Sequence, residues 1–266
     1  MTSLQLEGKG IVIIGGTTGL GLSAAEACAE AGASVVVVGR NRDNVDAAVG
    51  KIGSVCAGVA GVAGDATHAE TALQAIETAV EKFGSFDGLY HVAGGSGRQW
   101  GDGPLDQISD EGWQQTIRLN LTSVFCSNRA AVRRFLQQQS GGSVLNMGSV
   151  LADCPSPRHF ATHAYATAKA AIAGLTKASA AQYAGQNVRF NVIEPALVET
   201  PLTERATSDA ETMRYIATKQ PLDSGRIGQP SDLDAAVVYF LSDQSKFVTG
   251  QVFKVDGGWS VTEGQC

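Results

Sequence analysis

Short apolar runs alternate along the chain with longer stretches in which apolar residues recur every three or four positions. The short runs are rich in β-branched residues and carry few charges, which is typical of strands that are buried on both faces of a sheet. We predict strands at residues 10–14, 34–38, 57–62, 88–92, 143–147, 188–193 and 251–255.

The longer stretches have the period of one helix face. We predict helices at residues 20–31, 44–51, 69–83, 110–138, 163–183 and 231–241. Apolar strands separated by helices imply right-handed crossovers and a parallel sheet that is covered on both faces. The pattern therefore predicts an α/β fold, a doubly wound parallel sheet of the Rossmann type with about seven strands, in a single domain over residues 1–266.

Residues 197–228 break this alternation. They contain no strand pattern and only a weak helical pattern at 211–219, with Pro201 and Pro221 at its edges. Long irregular segments inside a compact domain are usually functional or disordered. Because this segment follows the carboxyl end of a predicted strand, where such sheets bind ligands, we expect it to be a substrate loop.

The charge balance argues against a nucleic-acid partner. The chain has a formal net charge of −6 and a pI near 5.2, whereas nucleic-acid binding needs a basic face. Hydrophobic residues make up 44% of the chain, yet no stretch approaches the roughly 20 apolar residues that a membrane span requires. We expect neither a nucleic-acid partner nor a membrane partner.

The cysteines are scattered and form no C-x-x-C pair: Cys28, Cys56, Cys126, Cys154 and Cys266. This pattern is not a disulfide framework and suits a reducing compartment. The first residues also lack the charged and then apolar pattern of a signal peptide. We expect a cytoplasmic protein. The histidines show no zinc-ligand spacing, so no metal site is expected.

A glycine-rich turn follows the first predicted strand and precedes the first predicted helix. Glycines permit a tight turn and a close approach of the backbone to a pyrophosphate, which the helix N-terminus then faces. The residues that we expect to contact it are Gly15, Thr17, Thr18, Gly19, Leu20 and Gly21.

The end of the second predicted strand bears on the choice of dinucleotide. NAD-binding proteins usually carry a carboxylate there, for the ribose 2′-hydroxyl, but this chain has Arg40 and Arg42. Guanidinium groups match a 2′-phosphate, so we expect NADP(H). Asp43 is a possible acceptor for a ribose 2′-hydroxyl, so NAD(H) remains the alternative cofactor. Asp65 and Ala66, after the third strand, are expected near the adenine, where Asp65 also suits a helix cap.

Tyr165 and Lys169 are four residues apart in a predicted helix and so share one face. An ammonium near a tyrosine favours the phenolate and lowers its pKa, which suits acid–base catalysis. Ser149 follows a predicted strand at the ligand edge, and Asn120 lies inside a long helix, where its propensity is poor. The expected catalytic residues are therefore Asn120, Ser149, Tyr165 and Lys169.

With these residues in place, the chain resembles the short-chain dehydrogenase/reductase family over essentially its full length. The match rests on Gly15, Gly19, Gly21, Asp65, Ala93-Gly94, Asn120, Ser149, Tyr165, Lys169, Asn191, Pro195, Thr200, Thr249-Gly250 and Asp256-Gly257-Gly258. The resemblance implies an oxidoreductase that interconverts a ketone or aldehyde and an alcohol by hydride transfer with NAD(P), acting on a small molecule. It also implies a homo-oligomer, most often a homotetramer, with a homodimer as the alternative.

The resemblance implies a role for each site residue. Tyr165 would exchange a proton with the carbonyl oxygen, and Ser149 would hydrogen-bond that oxygen. Lys169 would lower the pKa of Tyr165 and bind the nicotinamide ribose, and Asn120 would hold a water in a proton relay. Further cofactor contacts are implied for Ala93, Gly94, Pro195, Val198 and Thr200.

Four features depart from the family pattern, one of which is Ile14 at a position often held by threonine. His91-Val92 stand where the family has two asparagines, so other bonds must brace the central strand. Ala196 replaces a glycine after Pro195. The separation between Ser149 and Tyr165 is about three residues longer than usual, which leaves Ser156 and Thr162 as weaker alternates to Ser149.

The substrate itself stays open. We expect pocket walls at 95–103, 151–163 and 197–228. Arg98, Arg158, His159 and His163 either attract an anionic group or are ordinary loop residues. Alternative functions are 3-oxoacyl-acyl-carrier-protein reduction and a cofactor-binding regulator or scaffold without turnover. In an oligomer, the small and apolar residues of the predicted helix 163–183 are expected to face a partner, such as Ala164, Ala168, Ala171 and Leu175.

Overall fold

A computed structural model describes residues 5–56 and 58–264 of the chain. Its strands are β1 (Gly10–Ile14), β2 (Ser34–Gly39), β3 (Val59–Ala63), β4 (Gly88–His91), β5 (Gly142–Met147), β6 (Val188–Pro195) and β7 (Val252–Val255). They form one sheet in the order β3-β2-β1-β4-β5-β6-β7, and each neighbouring pair is parallel. This confirms the predicted doubly wound architecture.

Helices cover both faces of the sheet. They are α1 (Gly19–Glu30), α2 (Arg42–Ile52), α3 (Ala69–Phe83), α4 (Asp110–Ile117), α5 (Ser123–Gln138), α6 (His163–Tyr183), α7 (Glu204–Thr207), α8 (Ala210–Lys219), the single turn α9 (Leu222–Gly225) and α10 (Asp234–Leu241). The parallel pairing requires these crossovers, because a tight hairpin joins only antiparallel strands.

The apolar strands feed two separate cores. In β1, Ile11 and Ile13 pack into the core under α1 and α10, whereas Val12 and Ile14 pack into the opposite core under α3 and α5. Side chains alternate between faces along a strand. A strand that is covered on both faces must therefore be apolar at every position, and this explains the uninterrupted runs.

The order of the strands reverses between β1 and β4. The chain leaves β1 at Gly15 and returns to the neighbouring position at Ala93, after β4. In open parallel sheets a crevice opens at this point, because the two connections leave toward opposite faces. The fold thus places the glycine turn and the end of β4 on the two walls of one cleft.

The structure refines three predicted boundaries. The predicted strand at 57–62 begins at Ala57, which lies outside the described residues, and β3 begins at Val59. The single predicted helix 110–138 is divided by a π-helical turn over Arg118–Thr122. The segment 197–228 contains α7, α8 and α9, and α8 confirms the helical pattern predicted at 211–219.

Within residues 5–56 and 58–264, every helix is too short or too polar to cross a bilayer. Cys28, Cys56, Cys126 and Cys154 carry free thiols, and Cys266 lies outside the described residues. The cytoplasmic location and the domain bounds 1–266 stay predictions.

Candidate functional site

A cleft with a volume of about 540 Å³ opens along the carboxyl ends of the central strands. It brings together most of the residues that were expected to hold a cofactor. Those that line it are Gly15, Thr17, Thr18, Gly19, Leu20, Arg40, Asp65, Ala66, Ala93, Gly94, Tyr165, Lys169, Pro195, Val198 and Thr200. Gly21 and Arg42 do not line it.

The glycine turn fits an anionic group. Gly15 has a φ of 90°, and a Cβ there would lie 2.7 Å from the Ala93 nitrogen. Thr18 caps α1 without a side-chain hydrogen bond, and the first turn of α1 has no acidic residue. The positive end of the helix therefore faces the cleft without a competing carboxylate, as a pyrophosphate requires. A Cβ on Gly21 would lie 2.0 Å from the Gly15 oxygen, so its role is packing.

The two arginines after β2 are both exposed but differ in position. Arg40 lines the cleft with Asn41 and Asn44, whereas Arg42 is the first residue of α2 and lies outside the lining. Asp65 faces the same end of the cleft. Partial burial raises its pKa, but hydrogen bonds with Thr67 and the charges of His68 and Arg40 outweigh this and hold the pKa below its usual value. Asp65 is thus ionised next to Arg40.

Asp65 also binds backbone. Its Oδ1 accepts a hydrogen bond of 2.8 Å from the Thr67 nitrogen, two residues before the start of α3 at Ala69. The N-cap position of α3 belongs to His68. Asp65 therefore stabilises the turn that leads into α3. It is not the N-cap residue that the sequence suggested, but it binds backbone just before the helix.

Ser149 and Tyr165 meet where the cleft joins a second, smaller cavity, and both residues line both spaces. Asp102 fixes the start of α6, because its carboxylate accepts hydrogen bonds from the Ala164 and Tyr165 nitrogens at 3.0 and 2.9 Å. The longer connection from Ser149 therefore still delivers Tyr165 to this serine. Ser156 does not line the cavity, whereas Thr162 does.

Burial raises the pKa of Tyr165 above its usual value. A hydrogen bond with Ser149 lowers this pKa, and the charge of Glu194 raises it. This net direction is opposite to the one expected from Lys169. The reason is burial, which has the largest effect on this pKa. The Lys169 Nζ donates to the Met147 oxygen at 2.8 Å and lies 5.5 Å from the centre of the Tyr165 ring.

Lys169 is itself a perturbed base. Its side chain is buried, and burial lowers its pKa from 10.5 to about 8, while the charge of Glu194 acts in the opposite direction. Because this pKa is close to neutral pH, Lys169 can be either protonated or neutral there. Its charge behind Tyr165 therefore depends on the groups that set its pKa.

Asn120 explains why the long helix is interrupted. Its Nδ2 donates to the Gly95 oxygen at 2.8 Å and to the Thr116 oxygen at 2.9 Å, and its Oδ1 accepts from the Gly95 nitrogen at 3.0 Å. The buried amide in the π turn therefore links the preceding helical turn to the loop after β4, and π turns are frequent at functional sites. Asn120 thus braces the floor of the cleft beside Gly94.

Glu194 is a site residue that sequence reasoning missed. It is buried at the end of β6, and its Oε2 has no hydrogen-bond partner among the described residues. Burial and the charge of Asp153 raise its pKa from 4.5 to about 7, while Lys254, Lys169 and Lys177 lower it. The available signal was a single carboxylate within an otherwise apolar strand.

His91 braces the central strand with its imidazole ring, in place of the asparagine amides that are usual in the family. Its Nδ1 lies 2.7 Å from the Ser127 hydroxyl, and its Nε2 lies 3.2 Å from the Ala93 oxygen and from the Ser123 hydroxyl. Burial and the charge of Lys169 lower its pKa to about 3. A neutral ring therefore ties β4 to α5, as expected for a packed strand residue.

The second cavity has a volume of about 150 Å³ and lies in front of the two hydroxyls. Arg98 and Arg205 line it, and Arg205 is a further residue that sequence reasoning did not single out. The other expected basic residues point elsewhere. Arg158 pairs with Glu211, the His163 ring lies 2.9 Å from the Gly103 oxygen, and His159 stacks on Tyr215.

Comparison with known proteins agrees with this geometry. A family model described as Enoyl-(Acyl carrier protein) reductase matches residues 15–260. The chain is 31% identical over 255 residues to a 3-oxoacyl-acyl-carrier-protein reductase of Thermotoga maritima, covering 96% of this chain and 99% of that protein.

Solved structures extend the likeness to the whole fold. A short-chain type dehydrogenase/reductase from Mycobacterium ulcerans superposes with a TM-score of 0.90 at 31% identity, covering 98% of this chain and 93% of that one. A gluconate 5-dehydrogenase from Burkholderia cenocepacia, in complex with NADP and tartrate, superposes with a TM-score of 0.86 at 28% identity, covering 97% of each chain.

Proposed function

The chain belongs to the short-chain dehydrogenase/reductase family, and from this we propose that Tyr165 is the proton donor and acceptor of its reaction. The protein is an NAD(P)-dependent oxidoreductase that interconverts carbonyl and alcohol groups. One observation carries the proposal: Ser149 and Tyr165 both line the cofactor cleft and the second cavity, so their side chains meet at the junction of the two spaces.

The roles follow from where each group points. In reduction, the substrate oxygen lies against both hydroxyls, where Ser149 donates a hydrogen bond and Tyr165 gives up its proton. The bound nicotinamide supplies the hydride. Lys169 holds a positive charge behind Tyr165 when it is protonated, which stabilises the developing phenolate. Asn120 keeps the floor beneath Lys169 in place through its bonds to Gly95.

The proposal is tested by Ser149→Ala. Loss of one donor to an oxygen that gains charge in the transition state typically costs about 10²–10³-fold in turnover. We expect this loss in NADPH-dependent reduction of a ketone and aldehyde panel, with the cofactor dissociation constant unchanged. Ser156→Ala is the matched control, because Ser156 is a buried serine in the same connection outside the cavity. Full turnover by Ser149→Ala would contradict the assignment.

We propose NADP(H) as the preferred cofactor and keep NAD(H) as the alternative. Arg40 lines the cleft at the end of β2 without a carboxylate at that position, and a guanidinium matches the 2′-phosphate. The solved gluconate 5-dehydrogenase contains NADP, which supports this choice. Arg42 is outside the lining, so the proposal rests on Arg40 alone.

A second candidate substrate is a 3-oxoacyl group on acyl-carrier protein. The identity with the Thermotoga maritima reductase favours it. Relatives that use this carrier typically have arginines where this chain has Cys126 and Gln186, and Cys126 is buried. The small volume of the cavity also favours a free small molecule, and we keep carrier-bound substrates as the alternative.

We propose that the protein is a homo-oligomer, a tetramer or a dimer. Large apolar side chains are exposed on α5 at Phe125 and Leu136, before the edge strand β7 at Phe247, and within β7 at Phe253. Exposed clusters of this kind mark interaction surfaces. Ala164 and Ala168 are buried within the chain, so the expectation that they face a partner is wrong.

The oligomer is tested by light scattering. A measured mass equal to that of one chain, 27.5 kDa, would contradict the proposal.

A further inference from the structure

Two arginines from different loops converge on the cavity in front of Ser149 and Tyr165. Arg98 is half-buried in the loop after β4, and Arg205 lies on α7 in the segment after β6. A Cβ on Gly97 would lie 2.0 Å from the Thr116 hydroxyl, so the loop that carries Arg98 is packed tightly against α4. The position of Arg98 is therefore set by the scaffold.

Neither guanidinium has an acidic partner among the described residues. The arginine ion pairs there involve Arg158 and Arg226. Asp102 is near Arg98, but its two oxygens already accept the backbone hydrogen bonds that start α6. Both guanidiniums thus retain their donors toward the cavity.

The two positive charges also act on each other. Burial lowers the pKa of Arg98, the charge of Arg205 lowers it further, and Asp102 raises it. Arg98 is partly buried and Arg205 is exposed, and an anion bound between the two like charges would offset their mutual repulsion. The protein as a whole is acidic, with a net charge of −6, so this local pair of cations stands against the general trend of the surface.

The remaining wall is apolar. It includes Leu151, Phe160, Leu202 and Trp259. The volume of about 150 Å³ is below the range of about 300–1,000 Å³ that is usual for drug-sized ligands. The space therefore suits a small molecule with a charged end at the arginines and a short apolar body.

We propose that Arg98 and Arg205 bind an anionic oxygen group, a carboxylate or a phosphate, carried by a small carbonyl substrate whose oxygen lies at Ser149 and Tyr165. This rests on the proposed function and adds the substrate class. A guanidinium presents paired donors that match either anion. Arg98 would hold the anionic group from the loop after β4, and Arg205 would hold it from α7, in the segment after β6.

The test compares charged substrates with neutral counterparts. The probes are pyruvate, 3-oxobutanoate and 4-oxopentanoate with their methyl esters, and dihydroxyacetone phosphate with dihydroxyacetone. We measure kcat/KM with NADPH for the natural protein, for the double variant Arg98→Gln/Arg205→Gln, and for the control Arg158→Gln, whose arginine pairs with Glu211 outside the cavity. Calorimetry follows the binding of butanoate and inorganic phosphate to the protein with NADP⁺.

We expect the natural protein and Arg158→Gln to prefer at least one anion over its neutral counterpart by about 10- to 100-fold. The double variant should lose this preference and retain activity on the neutral compound. Which series shows the preference distinguishes a carboxylate from a phosphate.

Two results would overturn the inference. They are equal kcat/KM for charged and neutral probes in the natural protein, and a loss in the double variant that comes from weaker NADPH binding. If no probe is reduced but calorimetry shows anion binding that the double variant loses, the anion site stands and the proposed reaction fails.

Discussion

Tyr165→Phe is expected to lower turnover by at least about 10²-fold, and by up to about 10⁴-fold. The substitution removes the hydroxyl and keeps the ring, so the contacts of α6 in the fold should persist. The carbonyl oxygen would then lose the proton donor that the proposal assigns to it, and the Ser149 hydroxyl would remain as a hydrogen-bond donor. The rate of NADPH oxidation with any accepted ketone measures the effect, and fluorescence titration should show unchanged NADPH affinity.

A second tyrosine on the same helix provides the control. Tyr183 is the last residue of α6, and Tyr183→Phe should leave turnover unchanged. Circular dichroism of both variants should match that of the natural protein. If Tyr165→Phe binds NADPH normally and turns over near the natural rate, then Tyr165 is not the proton donor.

Arg40→Asp is expected to reverse the cofactor preference. A hydrogen bond to a charged group contributes about 1.5–3 kcal/mol, so losing the guanidinium should weaken NADPH binding by about 10- to 150-fold. The introduced carboxylate repels a 2′-phosphate and accepts a hydrogen bond from a 2′-hydroxyl. Fluorescence titration of both nucleotides should show NADPH binding more tightly before the change and NADH after it.

Arg42→Asp has the same charge change at a neighbouring residue that is exposed and outside the cleft. It should alter both affinities only slightly, because Arg42 does not line the cleft and its charge acts on the nucleotide only through screening solvent and salt. If the natural protein binds the two nucleotides equally, or if Arg42→Asp has the larger effect, then the role given to Arg40 is wrong.

The fold could be predicted from sequence because its signal is local and repeated. β1 is apolar at every position, since Ile11 and Ile13 face one core and Val12 and Ile14 the other. The crossover rules then restrict the topology of such strands. The glycine turn and the spacing of Tyr165 and Lys169 are likewise local patterns.

The features that sequence reasoning missed depend on contacts between distant segments. Arg98 was a candidate from the sequence, but Arg205 was not, and the two come together only because the segments after β4 and β6 line one cavity. Glu194 looks like part of an ordinary buried strand until Lys169 and Asp153 are placed around it. The π turn leaves no periodic signal of its own, and Asn120 inside a long helix was the single indication.

Burial of Lys169 and Glu194 also has a consequence for the free energy of unfolding. The pKa of Glu194 is raised from 4.5 to about 7, so the folded protein binds more protons than the unfolded chain across this interval, and stability falls as pH rises through it. The pKa of Lys169 is lowered from 10.5 to about 8, so the unfolded chain binds more protons between these values, and stability rises with pH there. Together these two groups reduce stability most between about pH 7 and pH 8, where both are charged. Lys169 and Glu194 therefore lower the free energy of unfolding most in the pH range in which both are charged and act on Tyr165.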